Sequence, residues 1–288
     1  MTEIWTITKI LNWCAEYFRS KGIASARLDA EILLGHTLNL TRMQLYLNFD
    51  RPLEAAELAS FKDLVKRRSR FEPVAYITGE KEFWSRPFHI EPGVLIPRPD
   101  TEVLIETVLG RFKGCGGDLS GFELGTGSGA IAVTFLTELP TLRMAAVEIS
   151  EIATKVTLEN AKRHSVADRL DLSREDFATW IKTRQEIQFD FIVSNPPYIA
   201  KNEFSTLPPD VRDFEPHEAL DGGDEGLNFY RLLATFAEYS LKPNGFIVVE
   251  IGETQALAVA EIFRTAGFLK ITIKKDYAGL DRVVEASR

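Results

Sequence analysis

Cysteine is scarce in this chain of 288 residues: there are two, Cys14 and Cys115, far apart in sequence. That rules out a disulfide framework and the paired-thiolate spacing of a zinc site. The four histidines, His36, His89, His164 and His217, are scattered and form no metal motif, so the expected metal content is none. Positive charge is not in excess: the formal net charge is −8. This argues against a large phosphate-binding footprint and a nucleic-acid substrate, though not against a local basic patch. No apolar run reaches the length of a membrane span, and Met1 to Ile10 mixes charges among its apolar residues, unlike a signal-peptide h-region. Internal repeats and low-complexity tracts are missing as well. What is present, 45% hydrophobic and 26% charged, is ordinary globular composition, long enough for two domains and a sizeable core.

The segment to about Arg70 reads as helical. Trp5, Ile10, Cys14, Tyr17 and Phe18 recur at helical spacing. Ser25 is placed to cap a second helix carrying Leu28, Ile32, Leu33 and His36. A third helix runs from about Leu53 and is expected to bury Ala56, Leu58, Phe61, Leu64 and Val65. Its basic end, Lys66-Arg67-Arg68-Ser69-Arg70, suits either a solvated helix end favoured by the dipole or a contact patch for an acidic or RNA-bearing partner. Phe71 to Pro99 reads as a linker with a hairpin, Phe83 to Ser85 and Phe88 to Ile90 flanking the Arg86-Pro87 step. Strands and helices then alternate through Phe246 to Ile251, the pattern of a parallel sheet covered on both faces. Lys201 to Asp224 is long, polar and proline-rich, the kind of connection that forms a lid or substrate wall. Leu269 to Val284 holds two short strand-like runs around Ala278-Gly279. The expected domains are residues 1–70, helical; 71–99, linker with hairpin; and 100–288, the α/β domain.

The most telling word is Asn195-Pro196-Pro197-Tyr198, directly after the apolar strand-like run Phe189 to Val193 and Ser194. Two prolines stop the backbone from continuing a ladder, and Pro196 biases Asn195 toward an extended conformation. The result is a stiff corner at a strand's carboxyl end, where open α/β sheets hold their ligands. It offers the Asn195 side-chain carbonyl, backbone carbonyls and the Tyr198 ring. A planar –NH2 group needs two acceptors and a flat surface, so the corner fits an amide or an aromatic amine.

Glu123-Leu124-Gly125-Thr126-Gly127-Ser128-Gly129 follows a strand-like piece, Gly121 to Leu124, and precedes a helical pattern from Ala130. Strand, glycine loop and helix open a nucleotide-binding unit. Glu148, ending the strand Arg143 to Val147, suits the two hydroxyls of a ribose. Because Gly125, Gly127 and Ala130 also satisfy the dinucleotide fingerprint, a nicotinamide or flavin enzyme remains an alternative at this point. Asp176-Phe177, ending the run Leu170 to Arg174, can hold an adenine by its amine and its ring face; Asp176 equally suits a helix N-cap.

Together these motifs resemble a class I S-adenosylmethionine-dependent methyltransferase. From about residue 25 to the C-terminus the chain is similar to the bacterial release-factor glutamine methyltransferases. Pro73 to Gly79, Glu82-Phe83-Trp84, Val94 to Glu102 (Val-Leu-Ile-Pro-Arg-Pro-Asp-Thr-Glu), Asp213-Phe214-Glu215-Pro216, Glu250-Ile251-Gly252 and Lys275 to Gly279 carry this narrower likeness. Glu123 departs from it, the family usually having Asp there. The resemblance implies a doubly wound, mostly parallel seven-stranded sheet ending in an antiparallel hairpin, after a small helical domain that helps grip the substrate. It implies methyl transfer from S-adenosyl-L-methionine to the side-chain amide N5 of the glutamine in the Gly-Gly-Gln motif of class I peptide-chain release factors, in the cytoplasm. Asn195, Pro196 and Tyr198 are the implied catalytic residues, with Pro197 also on the substrate. Gly125, Thr126, Gly127, Ser128, Gly129, Glu148, Asp176, Phe177 and Asn195 are the implied cofactor contacts. Asn-Pro-Pro-Tyr also occurs in nucleic-acid amine methyltransferases, and a ribosomal-protein glutamine is a further alternative substrate.

Overall fold

The computed structural model of the chain describes residues 4–113, 116–184 and 186–288; Cys115 lies outside the described residues. Two compact units emerge, Met1–Glu80 with Pro208–Phe214, and Lys81–Leu207 with Glu215–Arg288.

In the first unit α1 (Ile7–Ser20) starts where the Thr6 hydroxyl accepts from the Lys9 N–H, and it buries Ile7, Ile10, Leu11, Cys14 and Phe18. The second helix, α2 (Ala26–Leu38), begins after Ser25 as expected, yet the Ser25 hydroxyl makes no cap bond. Its ψ of 25° is not the extended conformation that aims a cap oxygen at the next turn. A short α3 (Arg42–Leu47) follows, closed by a Thr41/Gln44 capping box; its single apolar contact gave no periodicity to read. In α4 (Ala55–Arg68) Phe61 and Val65 are buried and Leu58 and Leu64 partly so, but Ala56 is exposed. Ala56 falls outside the single stripe of 58, 61, 65 and 68 that faces the unit's core. The basic end of α4 is neither a free patch nor wholly solvated. Arg68 turns inward, its Nε 2.7 Å from Asp29 and a terminal nitrogen 3.4 Å from Asp210. Arg67 pairs with Glu72, and Lys66 with Asp63. The helix α5 (Val74–Thr78) follows, and a later short helix, Pro209–Arg212, also belongs to this unit.

The second unit opens with the hairpin β1 (Glu80–Phe83) and β2 (Arg86–His89). Its turn is Trp84-Ser85, two residues earlier than the expected Arg86-Pro87, with φ of 51° and 56°. Two left-handed residues match the twist of a two-residue hairpin, so Arg86 and Pro87 belong to the second strand. After a 3-10 turn, Pro99–Thr101, and α6 (Glu102–Arg111), β3 (Leu119–Leu124), α7 (Ala130–Glu138), β4 (Leu142–Glu148), α8 (Glu151–Arg163), β5 (Leu170–Arg174), α9 (Phe177–Thr183) and β6 (Phe189–Ser194) alternate. The stretch after β6 is not a plain loop: it holds a 3-10 turn at Lys201–Thr206, α10 (Pro209–Arg212) and a second turn at His217–Ala219. The chain ends with α11 (Asn228–Ser240), β7 (Leu241–Glu250), α12 (Ala256–Thr265), β8 (Lys270–Lys275) and β9 (Asp281–Ser287). β7 starts earlier than the apolar run suggested. Leu241 pairs with Phe189, the register breaks, and pairing resumes at Phe246 opposite Phe191, around Asn244 at φ 68°.

The seven-stranded sheet has the order β5-β4-β3-β6-β7-β9-β8. β3 to β7 pair in parallel, and β9 is antiparallel to both β7 and β8. One face carries Phe122, Leu124, Val147 and Ile192 against Trp180 of α9, Phe236 of α11 and Phe263 of α12. Neighbours in the strands point the other way: Phe191 meets Phe135 of α7, ring centroids 5.5 Å apart. Both faces are therefore covered, as continuous apolar strands require.

Candidate active site

The chain leaves β3 toward β4 on one side and, after β5, returns to place β6 on the other. Such a reversal opens a crevice at the strands' carboxyl ends. A cavity of about 530 Å³ lies there, lined by residues just beyond β3, β4, β5 and β6. Gly125 and Gly127 come from the first, Glu148, Ile149, Ser150, Ile152 and Ala153 from the second, Glu175 to Phe177 from the third, and Asn195 and Pro197 from the fourth. Gly93 to Leu95, Pro216 to Ala219 and Phe229 close the remaining wall. Pro216 to Ala219 thus supply the wall expected of the long connection. His217, which carried no signal in the sequence, stands in that wall with its ring stacked on Phe204 at 4.5 Å.

The glycine loop has φ of 73°, 56° and 80° at Gly125, Gly127 and Gly129, a region costly for other residues. Glu148 braces it: one carboxylate oxygen accepts from the Gly127 N–H at 2.9 Å and the other from the Ser150 N–H at 2.9 Å. Thr126 and Ser128 are buried, and with Gly129 they turn toward α8 and stand outside the cavity lining. The Thr126 hydroxyl bonds that of Thr157 at 3.0 Å, and the Ser128 carbonyl accepts from Asn160 at 2.8 Å. Asp176 caps α9, one oxygen accepting from the Thr179 N–H at 3.0 Å, and it also faces the cavity. Phe177 lines the cavity but mostly belongs to the core, stacked on Phe122 at 5.8 Å. Ile149 and Ile152, 63% and 44% exposed, form an apolar wall that sequence reasoning missed.

The corner after β6 is held from several sides. The Ser194 hydroxyl donates to the Leu124 carbonyl at 2.8 Å. The Tyr198 carbonyl accepts from Gln255 at 2.9 Å. Gly226, at φ 70°, passes so close that a Cβ there would lie 2.3 Å from the Tyr198 carbonyl oxygen. Tyr198 is partly buried against the core, and burial raises its phenol above the usual range. The Asn195 side-chain oxygen and the Pro196 carbonyl accept no hydrogen bond from the described residues. The Asn195 amide nitrogen donates to the Thr101 hydroxyl oxygen at 3.4 Å, and that hydroxyl donates to Glu250 at 2.6 Å. Thr101 and Glu250 stood in recognised segments, but nothing in the sequence linked them to Asn195.

Glu123 lies behind the loop, fully buried, and neither carboxyl oxygen has a hydrogen-bond partner among the described residues. Burial pushes its acid well above the carboxylate range; the nearby Ala132 N–H, which does not reach hydrogen-bond geometry, offsets this only in part, and the charge of Glu148 adds to it.

Two family models match the chain, the PrmC N-terminal domain over residues 9–79 and the methyltransferase small domain over residues 99–207. A release factor glutamine methyltransferase of Geobacter sulfurreducens is 43% identical over 282 residues, 98% of this chain and 96% of that protein. One of Nitratidesulfovibrio vulgaris is 40% identical over 285 residues, 98% of this chain and 95% of that protein. A solved methyltransferase from Pyrococcus furiosus has a TM-score of 0.52 at 19% identity, covering 72% of this chain and 90% of that one, a likeness of fold. The nicotinamide and flavin alternatives fall away, because the methyltransferase small domain match spans both the glycine loop and the Asn195 corner. With relatives this similar along nearly its whole length, the chain belongs to the release factor glutamine methyltransferase family.

Proposed function

We propose that this enzyme methylates the side-chain amide nitrogen of the glutamine in the Gly-Gly-Gln loop of class I peptide-chain release factors, using S-adenosyl-L-methionine. The observation that carries the reading is the Asn195 corner. Among the described residues two of its acceptors have no partner, the Asn195 side-chain oxygen and the carbonyl of the buried Pro196, and Asn195 and Pro197 line the cavity. A substrate –NH2 has two N–H bonds to give them.

The cavity suits the cofactor. Exposed apolar side chains, Ile149 and Ile152, line the same cavity as the Glu148 carboxylate and the backbone of Gly125 and Gly127, a set that suits a molecule with a flat heterocycle, a ribose and a charged amino-acid end. Glu148 would accept from the ribose hydroxyls while bracing Gly127. Asp176 and Phe177, with the two isoleucines, would hold the adenine. Gly125 and Gly127 would lie along the methionine part, with Thr126, Ser128 and Gly129 fixing the loop's shape against α8. Bound there, the cofactor supplies a methyl group carried on a sulfonium.

The chain's own contribution is orientation and electrostatics. An amide nitrogen is a weak nucleophile because its lone pair is shared with the carbonyl. Asn195 and Pro196 each accept one N–H, which turns the nitrogen's remaining face toward the methyl group. Fixing that geometry can supply roughly 7–11 kcal/mol. Both acceptors attract the nitrogen more strongly as positive charge develops there, so they favour the transition state over the ground state, and the methylated nitrogen then loses one proton to solvent. Tyr198 and Pro197 stiffen the corner, and the Tyr198 ring offers the amide plane a flat neighbour. We assign the helical unit, residues 1–70 in the first instance, to gripping the release factor, and the enzyme to the cytoplasm, where that substrate works.

The test is labelled methyl transfer from S-adenosylmethionine to a release factor, to its Gly-Gly-Gln→Gly-Gly-Ala variant, to ribosomal protein and to bulk nucleic acid. Label confined to the intact release factor is expected. Label on ribosomal protein or on nucleic acid would assign the corner to a different amide or to a base amine.

A further inference from the structure

We infer that Thr101 and Glu250 form a positioning relay that sets which way the Asn195 carboxamide faces. The inference rests on the function proposed above and concerns residues with no assigned role in it.

A carboxamide has two nearly isosteric ends, one accepting and one donating. Only one orientation serves: with the amide turned over, Asn195 would point N–H groups at the N–H groups of its substrate. Its backbone does not choose between the two, and neither does shape. The choice falls to the partner of its inner end. Thr101 is 4% exposed and Glu250 1% exposed, so neither has water to bond instead. The Thr101 hydrogen is committed to Glu250 at 2.6 Å. What the hydroxyl shows to Asn195 is then a lone pair, and the amide answers with its nitrogen at 3.4 Å. The side-chain oxygen is thereby turned the other way, without a partner among the described residues. At that length the bond to Asn195 contributes little stability; its effect is on orientation.

Glu250 is well anchored for this task. It ends β7, beside the corner in the sheet, and its own carbonyl accepts from the buried Tyr230 hydroxyl at 2.9 Å. Thr101 closes the 3-10 turn that leads into α6. The two residues lie 149 positions apart, and Thr101 lies 94 from Asn195. A bond tying a turn to a strand would also be useful for stability alone, so the experiment must separate the two roles.

The experiment measures kcat, KM and cofactor affinity for Thr101→Val, Thr101→Ser, Asn195→Ala and the double variant Asn195→Ala/Thr101→Val. Thr101→Val keeps the shape and removes the hydroxyl; kcat should fall about 10-fold with the cofactor dissociation constant unchanged. Thr101→Ser should restore kcat to near the wild-type value. In the Asn195→Ala background Thr101→Val should slow the enzyme no further, because the group it orients is gone. Independent losses that multiply in the double variant, or a serine variant as slow as the valine variant, would overturn the relay. Wild-type enzyme that binds the cofactor but transfers no methyl to a Gly-Gly-Gln substrate would instead overturn the function on which it rests.

Discussion

The Gly127 N–H donates to a Glu148 carboxylate oxygen at 2.9 Å, so the acid after the second parallel strand braces the glycine loop as well as facing the cavity. One residue thus sets both a wall of the site and the shape of its floor. Glu148→Ala removes a charge-assisted bond and leaves the Gly127 N–H unpaired; such bonds are worth about 1.5–3 kcal/mol. Cofactor affinity measured by calorimetry should therefore weaken roughly 10- to 100-fold. An unchanged dissociation constant would remove Glu148 from the cofactor site.

Asn195→Ala deletes an acceptor that strengthens as charge develops on the substrate nitrogen. By comparison with losing one oxyanion-hole donor, kcat should fall on the order of 10²–10³-fold, with cofactor affinity nearly unaltered. Steady-state kinetics with a release factor as acceptor distinguishes this from a binding defect, which would raise KM and spare kcat.

Burial raises the Glu250 acid to about 7, against the Thr101 hydrogen bond and the charges of Arg282 and Arg98, with Asp100 adding to the rise. Tyr198 and Tyr230 also face it, and Arg282 is itself paired with Asp276. Above that pH the carboxylate accepts from Thr101. Below it, the protonated acid can donate to Thr101, whose hydrogen then turns toward Asn195 and favours the unproductive amide. We predict that kcat at saturating substrates falls as pH is lowered through about 7, and that Glu250→Gln is slow with a flat profile. Stability moves the opposite way. A folded pKa raised above the unfolded one stabilises fully below the unfolded carboxyl range, and this contribution is lost as pH rises through the folded value. Denaturant titrations across pH should show wild type losing stability toward pH 7 by more than Glu250→Gln does.

Glu123, whose acid burial also raises well above the usual range, predicts a stability change of the same sign. Glu123→Gln cannot ionise, so its unfolding free energy should decline less as pH rises. At neutral pH the added N–H donors in a site without partners should cost about 1–3 kcal/mol. A wild-type alkaline limb that the substitution leaves unaltered would show that Glu123 is not the group responsible.

Gly226→Ala combines a left-handed φ of 70° with a Cβ 2.3 Å from the Tyr198 carbonyl oxygen. The backbone must shift, and the shift falls on the corner that carries Asn195. Stability should drop by about 1–3 kcal/mol, and kcat should fall more than the loss of cofactor affinity accounts for. Thermal unfolding together with single-turnover transfer checks both.

Local chemistry was legible in the chain. The run Phe189 to Val193 followed by Asn195-Pro196-Pro197 places a strand end and a rigid corner within a few residues, and β6 does end at Ser194. The glycine loop, Glu148 and Asp176 likewise stand at strand ends, because strand, turn and helix signals all act over short spans. Less legible were the features set by competition between neighbours. Trp84-Ser85 rather than Arg86-Pro87 makes the hairpin turn, although neither residue is a usual left-handed one. Arg68 read as part of a basic helix end, but Asp29, distant in sequence, draws it inside.

The sequence by itself determined the alternation of strands and helices, the place of the glycine loop and of the Asn195 corner at strand ends, and the stiffness of that corner, since each follows from periodicity, proline geometry or glycine freedom within one short segment, whereas the terminal hairpin was implied by the family resemblance. Tertiary structure alone decided which end of the Asn195 amide faces outward. That depends on Thr101 and Glu250, 94 positions before Asn195 and at the end of another strand. A hydrogen bond between side chains so far apart in sequence exists only once the sheet has closed around them, and no local pattern encodes it.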